Sequence, residues 1–194
     1  MVDLVDDEVQ VGPHVLRLRR PRDADTLIDE SRFGDDEFMP YWAELWPSSL
    51  NLARVVAQRD LRGASVVELG CGLALPSLVA ALRGAHALAT DWAPEAIGLA
   101  RTNAERNGVD LEAAVVSWDQ PDALLERAPF DLVMCSDVLY EGRNVAALLA
   151  LLPRLGSEVL LAEPGRQTAG EFFVNAERDW TIGREGDVSR LTAN

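Results

Sequence analysis

The stretch VVELGCGLALPS, residues 66–77, decides the fold. Its first residues extend Ser65 into a short, β-branched, apolar segment, the composition of a buried strand. Gly70 and Gly72 break that strand, and Leu75 to Arg83 reads as a helix with Pro76 in its first turn, where proline is tolerated. Strand, glycine turn and helix form the opening unit of an open α/β sheet, and ligands of such sheets bind at this turn. Glycine lets the backbone turn tightly and approach a ligand closely. The pattern alone is weak, because a tight turn needs no ligand and nicotinamide and flavin sites share it. A dinucleotide site wants G-x-G-x-x-G so that a pyrophosphate can sit on the helix N-terminus. Here position 75 is Leu, and Pro76 removes a backbone N–H from that terminus. Glu68, just before the first glycines, would repel a pyrophosphate; it could serve a cationic ligand or orient the loop by hydrogen bonding.

Downstream the same rhythm repeats. Segments 85–90, 111–116, 130–135 and 158–162 read as strands, and 93–107, 145–152 and 168–177 as helices. Asn107-Gly108 is a common helix stop. Segments 180–182 and 188–191 are too close to hold a helix between them, so an antiparallel hairpin is expected. Upstream, Ser48 to about Arg59 carries Leu50, Ala53, Val56 and Ala57 on one helical face. HVLRLR at 14–19 alternates like a half-exposed strand, and 20–40 is charged and broken by Pro21, Gly34 and Pro40, as in a loop or loosely packed arm. The expected architecture is a Rossmann-like α/β fold: a seven-stranded, mostly parallel sheet with an antiparallel C-terminal hairpin and helices on both faces. It would comprise an N-terminal arm over 1–39 and one domain over 40–194.

Composition bounds the function. The chain has 194 residues, enough for one domain, and no apolar run near the ~20 residues of a membrane helix. The acidic start, with Asp3, Asp6, Asp7 and Glu8, lacks the pattern of a secretory leader, so a cytoplasmic location is expected. A net charge of −14 disfavours nucleic acid as a partner and suits a basic one. The basic cluster Arg17, Arg19, Arg20 and Arg22 reads as the solvated face of an edge strand. Every one of the 18 basic residues is Arg, so the chain has no lysine of its own to modify. Cys71 and Cys135 lie in apolar surroundings and read as buried, reduced thiols; with only His14 and His86 there is no zinc-like spacing, and no metal is expected.

Two further constellations carry chemistry. TDW at 90–92 ends the second strand of the repeat, and Asp91 lies 21 residues after Gly70. An acid at that distance accepts hydrogen bonds from both ribose hydroxyls of an adenosine, and Trp92 could cover the adenine face. Asp91 could equally cap the helix that follows. SDVLY at 136–140 ends the fourth strand. If the chain turns helically there, Asp137 and Tyr140 point the same way, and a carboxylate and a phenol can together aim an amine lone pair. They could also be an ordinary helix cap and a packing tyrosine. AEPGR at 162–166 is either a plain turn or places Glu163 or Arg166 near an acceptor.

Together ELGCG, TDW and SDVLY resemble the class I, seven-β-strand methyltransferases. The aromatic entry PYWAELWPSS at 40–49 narrows the resemblance to the methyltransferase-like protein-lysine methyltransferases, particularly the group of the electron-transfer-flavoprotein β-subunit lysine methyltransferase. The resemblance runs from about Pro40 to Pro164 and implies S-adenosylmethionine as cofactor. It implies that Trp46 lines the cofactor pocket, and that Glu68, Gly70, Cys71 and Gly72 form the loop under the methionine portion. Asp91 would hold the ribose with Trp92 beside it. Trp118 and Asp119 would lie near the adenine and Ser136 against the cofactor, while Asp137 and Tyr140 would face the acceptor. The third glycine of the usual loop is Ala74 here. The implied acceptor is a protein lysine; the rival is a small-molecule amine or other metabolite. A nicotinamide-dependent oxidoreductase and a catalytically silent cofactor-binding protein are the more distant alternatives.

Overall fold

The structure, a computed structural model, describes residues 2–27 and 40–194. Most of the stretch expected to be a loop or loose arm, 28–39, lies outside the described residues. A hairpin of β1 (Leu4–Val11) and β2 (His14–Pro21) comes first. Then follow α1 (Pro47–Val56), β3 (Ser65–Leu69), α2 (Leu75–Leu82), β4 (His86–Asp91), α3 (Pro94–Asn107) and β5 (Glu112–Val115). The chain continues through α4 (Asp122–Leu125), β6 (Leu132–Ser136), α5 (Gly142–Leu155), β7 (Glu158–Ala162), α6 (Gln167–Ala176), β8 (Trp180–Glu185) and β9 (Val188–Ala193).

The main sheet has seven strands in the order β5-β4-β3-β6-β7-β9-β8. Strands β3 to β7 pair in parallel, and β9 runs antiparallel to both β7 and β8. This is the expected Rossmann-like fold, its hairpin included. The chain leaves β3 toward β4 and later returns to β3's other edge as β6. The switch point therefore lies at the carboxyl ends of β3, β4 and β6, where such sheets open a crevice. Register makes the juxtaposition tight: Leu69 lies opposite Thr90 on one side and Cys135 on the other.

Strand alternation divides the core between two faces. Val66, Leu132, Met134 and Leu160 pack with α1 and α2 and with Val11, Leu16 and Leu18 of the hairpin. Val67, Val133, Cys135, Val159 and Leu161 pack with residues of α4, α5 and α6, including the fully buried Phe172. Both cysteines are free and buried.

Strand β1 was not expected, and its composition explains why. Its acids interrupt the apolar alternation, but they are neutralised across the pair: Asp6 meets Arg19 at 2.9 Å and Asp7 meets Arg20 at 2.6 Å, and just beyond the strand ends Asp3 meets Arg22 at 2.7 Å. Glu8 faces Arg17 in the same ladder. These ion pairs occupy all four arginines of the basic cluster. Asn103 and Asn107, one turn apart on α3, cover the free edge of β2 as a neighbouring strand would. The Arg17 amide donates to Asn107 Oδ1 at 2.9 Å and the Arg19 amide to Asn103 Oδ1 at 2.7 Å. Asn107 Nδ2 donates back to Arg17 O at 2.9 Å, and Asn103 Nδ2 to Arg19 O at 3.3 Å and to Leu73 O at 3.2 Å. The single turn α4 was also missed, being too short for a helical period to register. Among the described residues no helix is long and apolar enough to cross a membrane.

Candidate functional site

At the switch point lies a cleft of about 730 Å³. Its floor is the turn after β3. Gly70 and Gly72 sit at φ +65° and +49°, where side chains are strained, and neither has room for one. A Cβ on Gly70 would come within 3.0 Å of Val138 Cγ1 and 3.5 Å of the Trp118 ring; one on Gly72 would come within 3.0 Å of the Trp42 carbonyl oxygen. Ala74 adopts the left-handed conformation, φ 61°, at the N-cap of α2, doing without glycine at a position glycine would hold more easily.

Asp91 stands at the end of β4 with both oxygens engaged. Oδ2 accepts from the Gly72 amide at 2.9 Å and Oδ1 from the Ala93 amide at 3.0 Å. The carboxylate thus ties the glycine turn to the start of α3, as the capping alternative expected, and each oxygen keeps a lone pair for a ligand. Burial raises the Asp91 pKa, while the amides of Ala93, Gly72 and Trp92 pull it down. Trp92, 42% exposed, stands at the rim. Trp118, Ser136, Cys71 and Trp46 also line the cleft. Trp46 Nε1 donates to Tyr41 O at 2.7 Å, fixing the aromatic entry over the opening. Asp119 lines the cleft too; its carboxyl accepts from Ser117 Oγ, which holds its pKa below the usual range.

Glu68 requires a correction. It does not line the cleft: it is fully buried beneath it. Its Oε2 accepts from the Ser77 amide at 3.0 Å and from Ser77 Oγ at 2.5 Å, anchoring the first turn of α2. Loop orientation is therefore the role its hydrogen bonds express, rather than contact with a cation. Oε1 has no partner among the described residues, and burial pushes the carboxyl up to about 8 from an ordinary 4.5, with the Ser77 hydrogen bonds opposing. Between those values the folded protein holds a proton that the unfolded chain releases. This contribution to stability is complete below the lower value and is lost as pH rises through the upper one, with a slope of roughly 1 kcal/mol per pH unit. Glu68→Gln is expected to flatten that slope. Denaturant titrations at pH 5 and pH 8 check it; equal losses in variant and wild type would mean that Glu68 is ionised in the fold.

Asp137 and Tyr140 both line the cleft, but not through a helical turn. Residues 137–140 are irregular, α5 begins only at Gly142, and Asp137 sits in the left-handed region at φ 56°. The Asp137 amide donates to Ala162 O at 2.8 Å, carrying the β6–β7 pairing one residue past the strand ends. Its carboxylate, nearly buried, accepts from Arg166 Nε at 2.7 Å. The Tyr140 ring packs on Tyr41 with centroids 5.0 Å apart. Burial raises the Tyr140 pKa, with a hydrogen bond to Asn144 opposing, so the phenol stays neutral near pH 7. The sequence reading did not single out Tyr41 or Asn144 and left Arg166 undecided; all three line the cleft. Tyr41 had a signal in the aromatic density of the entry, whereas Asn144 had none. Among the described residues there is no cluster of side chains able to hold a metal ion.

Comparison with known proteins agrees with this fold. The family profile described as lysine methyltransferase matches residues 40–179. The electron transfer flavoprotein β subunit lysine methyltransferase of Xenopus laevis is 31% identical over 137 residues, covering 66% of this chain and 53% of that protein. The histone-arginine methyltransferase METTL23 of Homo sapiens is 30% identical over 118 residues, covering 56% of this chain and 60% of its own length. The chain thus spans little more than half the length of these relatives. Among solved structures, a T. thermophilus 16S rRNA N2 G1207 methyltransferase in complex with AdoMet and guanosine superposes with a TM-score of 0.66 at 17% identity, over 98% of this chain and 50% of that one. At that identity the likeness is one of fold.

Proposed function

The chain belongs to the lysine methyltransferase family, and from that premise we propose that it transfers the methyl group of S-adenosylmethionine to a lysine side-chain amine of a protein. The observation that carries the proposal is the meeting of two half-sites in one cleft: the glycine turn with Asp91, and Asp137 with Tyr140.

The cleft residues fit the cofactor. Asp91 has lone pairs for two ribose hydroxyls, the side-chain-free turn leaves space for the methionine portion, and Trp92 and Trp118 flank the place for an adenine. S-adenosylmethionine supplies an electrophilic methyl on a sulfonium. The protein's task is to present a neutral amine in line with it. A free lysine, with a pKa of ~10.4, is mostly protonated at physiological pH. The apolar walls of Tyr41, Trp46 and Tyr140 disfavour its charge by desolvation. The Asp137 carboxylate and the Tyr140 oxygen then accept the amine's hydrogens and aim its lone pair. Positioning of this kind contributes ~7–11 kcal/mol when well aligned.

An acceptor borne on a protein is favoured because Tyr41 and Trp92, which line the cleft, are both exposed to solvent, at 39% and 42%. A net charge of −14 also suits a basic protein better than a nucleic acid. The first test is calorimetric titration with S-adenosylmethionine, S-adenosylhomocysteine and NAD. Binding of the first two without NAD is expected, and binding of NAD alone would overturn the reading. Labelled-methyl transfer followed by total hydrolysis then reads the acceptor directly, as methyl-lysine against methyl-arginine or a labelled metabolite.

A further inference from the structure

The turn after β7 carries a charge pair beside two uncharged ties that join the same segments. Three contacts cross from the segment after β6 to the segment at and after the end of β7. Two are uncharged: the Asp137 amide donates to Ala162 O at 2.8 Å, and the Thr168 hydroxyl Oγ1 donates to Leu139 O. The third is Arg166 to Asp137, in which the carboxylate side chain is 5% exposed and the guanidinium 33%. Burying a carboxylate costs several kcal/mol even when it is paired, and a neutral side chain at 137 would avoid that cost while keeping both uncharged ties. The local structure is also built to present Arg166. Glu163 Oε2 accepts from the Gly165 amide at 2.6 Å and from the Arg166 amide at 3.1 Å, closing the turn that places Arg166 at the N-cap of α6.

We propose that Arg166 is the positioning residue of the acceptor subsite: its guanidinium occupies Asp137 Oδ1 and leaves Oδ2 as the oxygen that receives the acceptor amine. This rests on the methyltransferase reading above. Arginine suits the task because its planar group holds a carboxylate in one orientation and cannot lose its charge near neutral pH. The same fixed charge stands beside the entering amine and disfavours an ammonium there, so it works in the direction the chemistry requires. Arg166 thus acts through Asp137, and Glu163 acts through Arg166.

The test compares wild type with Arg166→Met and Arg166→Lys. Affinity for S-adenosylmethionine is read by calorimetry, and labelled-methyl transfer is read with poly-L-lysine as the acceptor probe. Arg166→Met is expected to keep cofactor affinity within about twofold and to lower kcat by about 100-fold, the scale of a small misplacement at a reacting centre. Arg166→Lys is expected to recover to within about tenfold of wild type, and added guanidinium to restore part of the activity of Arg166→Ala. A measurement that needs no acceptor runs beside these: the Arg166 Nε–H, followed by arginine-selective NMR with S-adenosylhomocysteine present, is expected to exchange slowly in wild type and freely in Asp137→Ala. Wild-type kcat in Arg166→Met, or a freely exchanging Nε–H in wild type, overturns the proposal. Parallel loss of cofactor binding and turnover also overturns it, leaving Arg166 a purely structural residue. Failure of the wild type to bind S-adenosylmethionine would instead fall on the methyltransferase reading, and if poly-L-lysine is not methylated the exchange measurement decides alone.

Discussion

Asp91→Ala is expected to raise the dissociation constant for S-adenosylmethionine by at least about 100-fold. The carboxylate is almost fully buried at the end of β4 and already accepts from the amides of Gly72 and Ala93. Its remaining lone pairs are the ones a ribose would use. A hydrogen bond to a charged group contributes about 1.5–3 kcal/mol, so losing two exceeds the ~2.7 kcal/mol of a hundredfold change. The substitution also strips two backbone amides of their acceptor and loosens the turn under the ligand. Asp91→Asn separates these effects, because the side-chain carbonyl still accepts from one amide while the charge is gone. Calorimetry reads both variants. Unchanged affinity in Asp91→Ala would remove Asp91 from the cofactor site and leave it the tie between the glycine turn and α3.

The second large effect is expected at Asp137. Asp137→Asn should lower turnover by about 100-fold or more while leaving cofactor affinity within about twofold, since the oxygen proposed to receive the amine loses its charge but nothing under the cofactor moves. Asparagine is the informative choice. It tolerates the left-handed backbone found at 137, where alanine adds roughly 1 kcal/mol of strain. It also keeps an oxygen for Arg166. Asp137→Ala is expected to abolish transfer as well, but through charge, contact and backbone together. Near wild-type transfer in either variant would take Asp137 out of the catalytic assignment.

The sheet was legible in the sequence because its central parallel strands are buried on both faces and read as largely apolar runs, Leu132–Cys135 most clearly. Strand β1 was not, since Asp6, Asp7 and Glu8 look like a solvated terminus until β2 supplies arginines opposite them. The cleft was legible where chemistry follows the chain locally, as in the glycine turn and Asp91. It was illegible where the sheet joins distant segments: Asp137 and Arg166 are 29 residues apart and meet only because β6 and β7 pair in parallel. Glu68 is the instructive miss. Strand parity puts it on the side of Val66, the face covered by α1 and α2, so counting by twos from that core position would have turned it beneath α2 rather than toward a ligand.

The Asn103 side chain touches three parts of the molecule at once. It sits on α3, it accepts from and donates to the backbone of β2, and it donates to Leu73 within the turn that floors the cleft. The turn therefore cannot open without releasing a bond shared with the hairpin, and the hairpin cannot peel away without unsettling the turn. By mass action, a ligand that binds only the closed turn stabilises everything that must open with it. The β1–β2 hairpin and the cleft are accordingly expected to melt as one cooperative unit, and the midpoint followed on the hairpin to climb with cofactor concentration in step with that of the cleft.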